Sequence, residues 1–194
     1  MLREVRKKQI NETITQVAIE LFKQKGYENV TVEEIALKSG IAKGTFFNYF
    51  QKKEHLLLHI VNSYMQLMDQ IVHRHQEGTV KERLQHILRD ILSIYFLHPS
   101  LLRLTLVETI KSTLETKDAS TNITMFKETL GTIIAEAKQS GVLRSSWDPN
   151  LSASVVVGVF LNTLINWSSS LNEEELFKVL QRQLDVVWEG IADE

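Results

Sequence analysis

Apolar residues recur along the chain at spacings of three and four. Ile10, Ile14, Val17, Leu21 and Phe22 form one stripe. Leu84, Ile87, Leu88, Ile91 and Tyr95 form a second, and Leu176, Val179, Leu180, Leu184 and Val187 a third. This spacing holds each set on one face of a helix, and no run of strict alternation competes with it. The pattern predicts an all-α chain.

Cap signals divide the pattern into about nine helices. The first covers roughly residues 5–25 and is closed by Gly26. Thr31-Val32-Glu33-Glu34 is a capping-box sequence: the Thr31 hydroxyl can accept the Glu34 amide while the Glu34 carboxylate reaches back. It opens a short second helix that stops near Ser39, before Gly40. A third covers about 43–49, and a long fourth runs from near Lys53 to before Gly78. Thr79-Val80-Lys81-Glu82 repeats the box and opens the fifth. His98-Pro99 ends that helix and begins a sixth, proline being suited to the first helical position. The Ser/Thr-rich stretch from Lys111 to Asn122 reads as a loop. The seventh helix follows it and stops at Gly141. Asp148-Pro149 opens the eighth. Asn172, followed by Glu173, Glu174 and Glu175, opens the ninth, with carboxylates at its positive end.

Composition narrows the function classes. The 194 residues include no cysteine and two prolines, and 43% are hydrophobic. Such a chain buries a sizeable core without a disulfide or a structural metal. Lack of cysteine excludes thiol nucleophiles, Cys-ligated zinc and iron–sulfur clusters. The N-terminus is charged, and no stretch reaches the roughly 18 uninterrupted apolar residues of a membrane span. The most apolar segment, 151–167, is interrupted by Ser152, Ser154, Asn162, Thr163 and Asn166. The expectation is a soluble cytoplasmic protein with no membrane partner.

Charge changes the picture more. The chain has a net charge of −2, but residues 1–53 carry +4 and residues 54–194 carry −6. A basic first quarter on an acidic body is the footprint of a local polyanion-binding module.

The basic quarter contains two short helices joined at Gly40-Ile41, which is a helix-turn-helix pattern. At 100° per residue, Phe46 and Phe50 of the third helix fall together and anchor it to Leu21, Phe22 and Ile35. Gly44, Thr45 and Asn48 then point outward, flanked by Lys43, Phe47 and Tyr49. Such a surface suits a major groove: Asn pairs with adenine, Lys with guanine or phosphate, and apolar groups touch a thymine methyl. Lys52 and Lys53 at the start of the fourth helix add cations where the helix dipole is already positive, an arrangement that a phosphate would stabilise.

The segment from Ile14 to Leu57, Ile-Thr-Gln-Val-Ala-Ile-Glu-Leu-Phe through Ile-Ala-Lys-Gly-Thr-Phe-Phe-Asn-Tyr-Phe-Gln-Lys-Lys-Glu-His-Leu-Leu, resembles the DNA-binding domain of the TetR family of bacterial transcriptional regulators. The resemblance implies a helix-turn-helix domain at 1–52 and a ligand-binding and dimerisation domain at 53–194. It implies a homodimer, usually a repressor, that binds a near-palindromic operator in double-stranded DNA and is released by a small-molecule effector. Thr31, Tyr49 and Lys53 would contact phosphate, and Lys43, Gly44, Thr45, Phe47 and Asn48 bases or backbone. Where the family often has Ser and Tyr, this chain has Ala42 and Phe47, which removes a side-chain cap and a hydroxyl donor.

In the larger domain, one face of the eighth helix (Leu151, Val155, Val159) and one of the ninth (Leu180, Leu184, Val187) are the candidate dimer interface. Phe96, Leu102, Leu106, Met125, Phe126 and Trp167 could line an apolar cavity, with Arg103 orienting a polar group, for a mainly hydrophobic effector. No catalytic residue, metal or cofactor is assigned. Two other readings use different residues. One is a helical-bundle metalloenzyme built on the i, i+4 pairs His55/His59 and Glu82/His86, neither of which matches a His-Glu-x-x-His pattern. The other is a ligand-binding scaffold whose helix-turn-helix has degenerated.

Overall fold

The computed structural model describes residues 2–65, 67–97, 99–115, 122–167 and 172–191, with side chains except at 2, 3, 63–65, 99, 100, 102, 167 and 191. Among the described residues there are ten α-helices, one short 3-10 turn and no strand. They are α1 (Leu2–Lys25), η1 (Tyr27–Asn29), α2 (Val32–Lys38), α3 (Lys43–Phe47), α4 (Glu54–Met65), α5 (Met68–Arg74), α6 (Val80–Phe96), α7 (Pro99–Glu115), α8 (Asn122–Gln139), α9 (Pro149–Trp167) and α10 (Glu173–Ile191).

The all-α expectation holds, with two changes. The expected fourth helix is two, α4 and α5. The expected loop at Lys111–Asn122 is helical at both ends: α7 runs on to Glu115 and α8 begins at Asn122, while 116–121 lie outside the described residues. Within the helix the Thr113 hydroxyl donates to the Thr109 carbonyl one turn back, at 2.9 Å, so its polar group is satisfied.

The caps form largely where the sequence places them. Asp148 Oδ1 accepts the Leu151 amide at 2.9 Å, and Asn172 Oδ1 accepts that of Glu175 at 3.0 Å. Thr79 and Glu82 make a complete capping box: the Thr79 hydroxyl accepts the Glu82 amide, and Glu82 Oε2 accepts the Thr79 amide at 2.8 Å. These bonds hold the Glu82 carboxyl below its usual range. At Thr31 only half of the expected box forms. Its hydroxyl accepts the Glu34 amide at 3.2 Å, but the Glu34 carboxylate takes Lys25 Nζ at 2.6 Å instead of turning back.

The chain divides into two compact units, Met1–Ser63 with His98–Glu108, and Tyr64–Leu97 with Thr109–Glu194. In the first, Ile14, Leu21 and Phe22 of α1, Ile35 of α2, Phe46 of α3, and Leu56 and Ile60 of α4 are buried. The first half of α7 contributes Leu101, Thr105 and Leu106 to the same core. In the second, α9 packs against α8 and α10, and α6 against α5, α8 and α10. By length and composition α9 could cross a membrane. In this fold its Ala153, Val156, Val157, Phe160 and Leu164 are buried within the unit.

Candidate nucleic-acid interface

The turn between α2 and α3 is built by one glycine. Gly40 has φ +69°, a left-handed conformation that side-chain-bearing residues rarely adopt. Its amide donates to the Leu37 carbonyl at 3.1 Å, and the Ile41 amide to that of Ala36 at 3.0 Å. This double bond pattern closes α2 and reverses the chain within two residues. Ala42 then stands at the cap of α3 in extended backbone, with no side-chain bond.

Two phenylalanines fix the roll of α3. Phe46 is fully buried and Phe50 nearly so, with ring centroids 5.6 Å apart. That leaves Lys43, Gly44, Phe47 and Asn48 exposed, and Thr45 and Tyr49 half-buried. Phe47 is 44% exposed and meets the Phe46 ring edge-on at 5.5 Å. A Cβ added at Gly44 would meet nothing within 4 Å. Lys43 is not a bare cation: it pairs with Glu33 of α2, and this bond holds the Glu33 carboxyl below its usual range. Thr31 and Lys52 are exposed on the same unit.

Lys53 is placed differently from the expectation. Its ammonium donates to the carbonyls of Tyr27 at 2.8 Å and Val30 at 3.0 Å, and lies 4.0 Å from the centre of the Tyr27 ring. Two of its three protons are thus committed to backbone, and the charge sits on an aromatic face. Lys53 therefore rivets the start of α4 to the segment that leads into Thr31. Sequence reasoning missed its partner, Tyr27. Tyr27 stacks on Phe22 at 5.0 Å, and its hydroxyl is pushed well above the usual range by burial and by the negative charges of Glu54, Glu28 and Glu108. A Tyr directly after the glycine that ends α1 is the signal that was available. On α4, His59 packs edge-on to Phe50 at 5.4 Å, and burial lowers its pKa, partly offset by Glu12.

Residues 14–60 match the family described as bacterial regulatory proteins of the tetR family. The chain is 26% identical over 184 residues to the fatty acid metabolism regulator protein of Bacillus subtilis, a match covering 92% of this chain and 93% of that protein. Residues 14–60 therefore carry a domain of the tetR family of bacterial regulatory proteins. Over a shorter stretch, 57 residues or 29% of the chain, the regulator is 46% identical to the HTH-type transcriptional regulator YuxN of B. subtilis. Its fold is that of Thermus thermophilus FadR, a TetR-family repressor solved with lauroyl-CoA, at TM-score 0.73 and 23% identity over 95% of this chain and 96% of that one. Bacillus subtilis FadR, solved with stearoyl-CoA, superimposes at TM-score 0.67 with 22% identity, over 89% of this chain and 96% of that one.

The regulator's larger unit answers the remaining expectations unevenly. Leu151 and Val155 of α9 are exposed, and Val159 and Val187 are half-buried. Leu180 and Leu184, expected beside them, are instead in the core. Near its C-terminal end α10 exposes Val186 and Gly190 and leaves Val187 half-buried. With Trp147, Leu151 and Val155 these line an apolar groove of about 410 Å³. The strongest apolar stripe of α10 is its core face.

The expected effector residues are not gathered in one unit. Arg103 and Leu106 belong to the first, the former exposed and the latter buried. Phe96, Met125 and Phe126 belong to the second, where Phe126 meets Phe160 edge-on at 5.6 Å and Met125 is largely exposed. The side chains of Leu102 and Trp167 lie outside the described residues. Tyr95 lies 6.4 Å from Phe160, and burial pushes its hydroxyl up to about 12. Among the described residues no three His, Asp or Glu side chains are grouped to hold a metal. His86 stacks on His75 at 5.3 Å, and His75 bonds Asp90 at 3.0 Å.

Proposed function

We propose that this regulator is a repressor that acts in the cytoplasm, binds a near-palindromic operator as a homodimer, and is released by a long-chain acyl thioester. The observation that carries the reading is the 26% identity over nine-tenths of the chain to a fatty acid metabolism regulator. The two acyl-CoA-bound structures that share the fold support it. The chain performs no reaction on its ligand.

On this reading Lys43, Gly44, Thr45, Phe47, Asn48 and Tyr49 enter a major groove, and Thr31 and Lys52 contact phosphate. Lys53 holds the α4 start in place for them. Leu151, Val155, Val159 and Val187, with Trp147 and Val186, form the two-fold interface. Pairing doubles the reading surface and sets the two recognition helices about one helical turn of DNA apart, roughly 34–36 Å. Both α4 and α7 contribute residues to both units. A ligand that repacks the larger unit would act on the DNA-binding unit through these helices. A preference of only about 1–3 kcal/mol for the non-binding state weakens operator affinity roughly 5–150-fold.

The test is a titration of the protein–operator complex with lauroyl-, palmitoyl- and stearoyl-CoA, followed by fluorescence anisotropy of the labelled duplex. Release of DNA with acyl-CoA recovered intact is the expected result. Equal acyl-CoA affinity with and without operator would exclude the coupling, and release only by free CoA would overturn the acyl assignment.

A further inference from the structure

Residues 4–9 of α1 are helical without burying a side chain. Every described side chain from Glu4 to Gln9 is exposed, and burial begins only at Ile10 and becomes complete at Ile14. A helical segment with no packed face is not held by its own unit. It is also basic. Arg6 and Lys7 make no ion pair among the described residues, whereas Lys8, one position on, leans towards Glu12 at 3.9 Å.

Arg6, Lys7 and Ile10 line one side of a groove of about 670 Å³, and Thr45, Asn48 and Tyr49 line the other. The second wall is the reading surface itself. A duplex that admits α3 into its major groove presents a sugar–phosphate strand along each edge of that groove. One such strand must run past the flank of α3, where this groove lies. Its chemistry fits the strand: two cations on one wall, and hydroxyl and amide groups on the other.

We infer that the start of α1 and the flank of α3 form a clamp for one sugar–phosphate strand of the operator, with Arg6 and Lys7 as its phosphate contacts. This rests on the operator-binding reading above. Glu4, which also lines the groove, repels phosphate from its end and sets where the strand lies.

The test uses a duplex selected from a random library by the full-length protein, with a scrambled duplex as reference. Affinities are measured across a salt series, and each variant's helicity is checked by circular dichroism. The double variant Arg6→Gln/Lys7→Gln removes two phosphate contacts. The slope of log affinity against log salt should become shallower by about 2, at roughly 0.9 per contact, with affinity falling about tenfold or more at low salt. Preference for the selected duplex over the scrambled one should persist, and Glu4→Gln should tighten binding. Lys8→Gln, the same charge change on a neighbouring face, should leave the slope nearly unchanged. An unaltered slope in the double variant overturns the clamp, as does a Lys8→Gln effect equal to that of Lys7→Gln, which would mean diffuse charge. Failure of the operator reading looks different: the wild type would not discriminate the selected from the scrambled duplex, or Asn48→Ala would discriminate as well as the wild type, whatever the slopes.

Discussion

Gly44 and Gly131 are both helical glycines, one in each unit, and they are there for opposite reasons. A Cβ at Gly131 would come within 2.8 Å of Asn150 Oδ1 and 3.7 Å of the Ala153 methyl, because α8 and α9 pack closely there. A Cβ at Gly44 would touch nothing, and the backbone there needs no left-handed conformation. The protein's own packing explains the first glycine and leaves the second unexplained. The same contrast separates the units. On the face of α3, Gly44, Phe47 and Asn48 are exposed. In the larger unit the core residues pack on one another, and the apolar residues left outside, Trp147, Leu151, Val155 and Val186 among them, lie on the outer face of α9 and α10 and the turn before α9.

Lys53 offers the sharpest break in that contrast, since it lies beside the reading face yet is engaged internally. Lys53→Met should destabilise the first unit by about 2–3 kcal/mol, from two charge-assisted bonds to partly buried carbonyls. Chemical denaturation would read this, and operator affinity should fall with it because the start of α4 is released. Loss of affinity with stability unchanged would return Lys53 to the role of a phosphate contact.

Gly131→Val tests the packed side. Branching at a close helix crossing should cost about 1–3 kcal/mol by overpacking. Gly131→Ala should be far milder, since the Asn150 amide can turn aside and alanine favours helix. Operator affinity per folded molecule should not change in either. A valine variant as stable as wild type would mean that the α8–α9 crossing is looser than its geometry indicates.

Gly44→Ala tests the open side and has the smaller effect on stability, with the opposite sign. Helix propensity predicts a gain of up to about 1 kcal/mol. Operator affinity should drop about tenfold, as the added methyl holds the backbone away from DNA; tenfold corresponds to ~1.4 kcal/mol. A variant both more stable and equally tight would remove the claim that Gly44 serves DNA.

What could be read from the sequence follows the range of the interactions. Caps at Thr79, Asp148 and Asn172, the turn at Gly40 and the anchoring pair Phe46 and Phe50 depend on residues a few positions apart, and each was legible. The pairs Glu34–Lys25 and Lys53–Tyr27 join segments nine and twenty-six residues apart. In the first the distant Lys25 replaces the local Thr31 amide, and in the second the Tyr27 and Val30 carbonyls take the ammonium that the sequence assigned to phosphate. Leu180 and Leu184 lie in the core, unread for a related reason: periodicity marks an apolar face but cannot say whether that face meets its own chain or a second copy. The break between α4 and α5 left no mark, because 63–70 contain neither glycine nor proline.

His59 gives the smallest effect, and it separates the units by pH. Its ring is half-buried against Phe50, and burial lowers its pKa, while the Glu12 carboxylate acts weakly the other way. Unfolded, the group titrates near the ordinary value of about 6.5. Between the two values the unfolded chain binds more protons than the folded one, so stability rises with pH. The first unit should therefore begin to lose stability as pH falls below about 6.5, and continue losing it until the lower, folded value is passed. His59→Phe removes the titrating group and keeps an aromatic partner for Phe50, so it should flatten this part of the profile. Thermal melts of wild type and variant between pH 7.5 and 5, with operator affinity measured alongside, would read it. If the two profiles run parallel, the acid sensitivity does not come from His59.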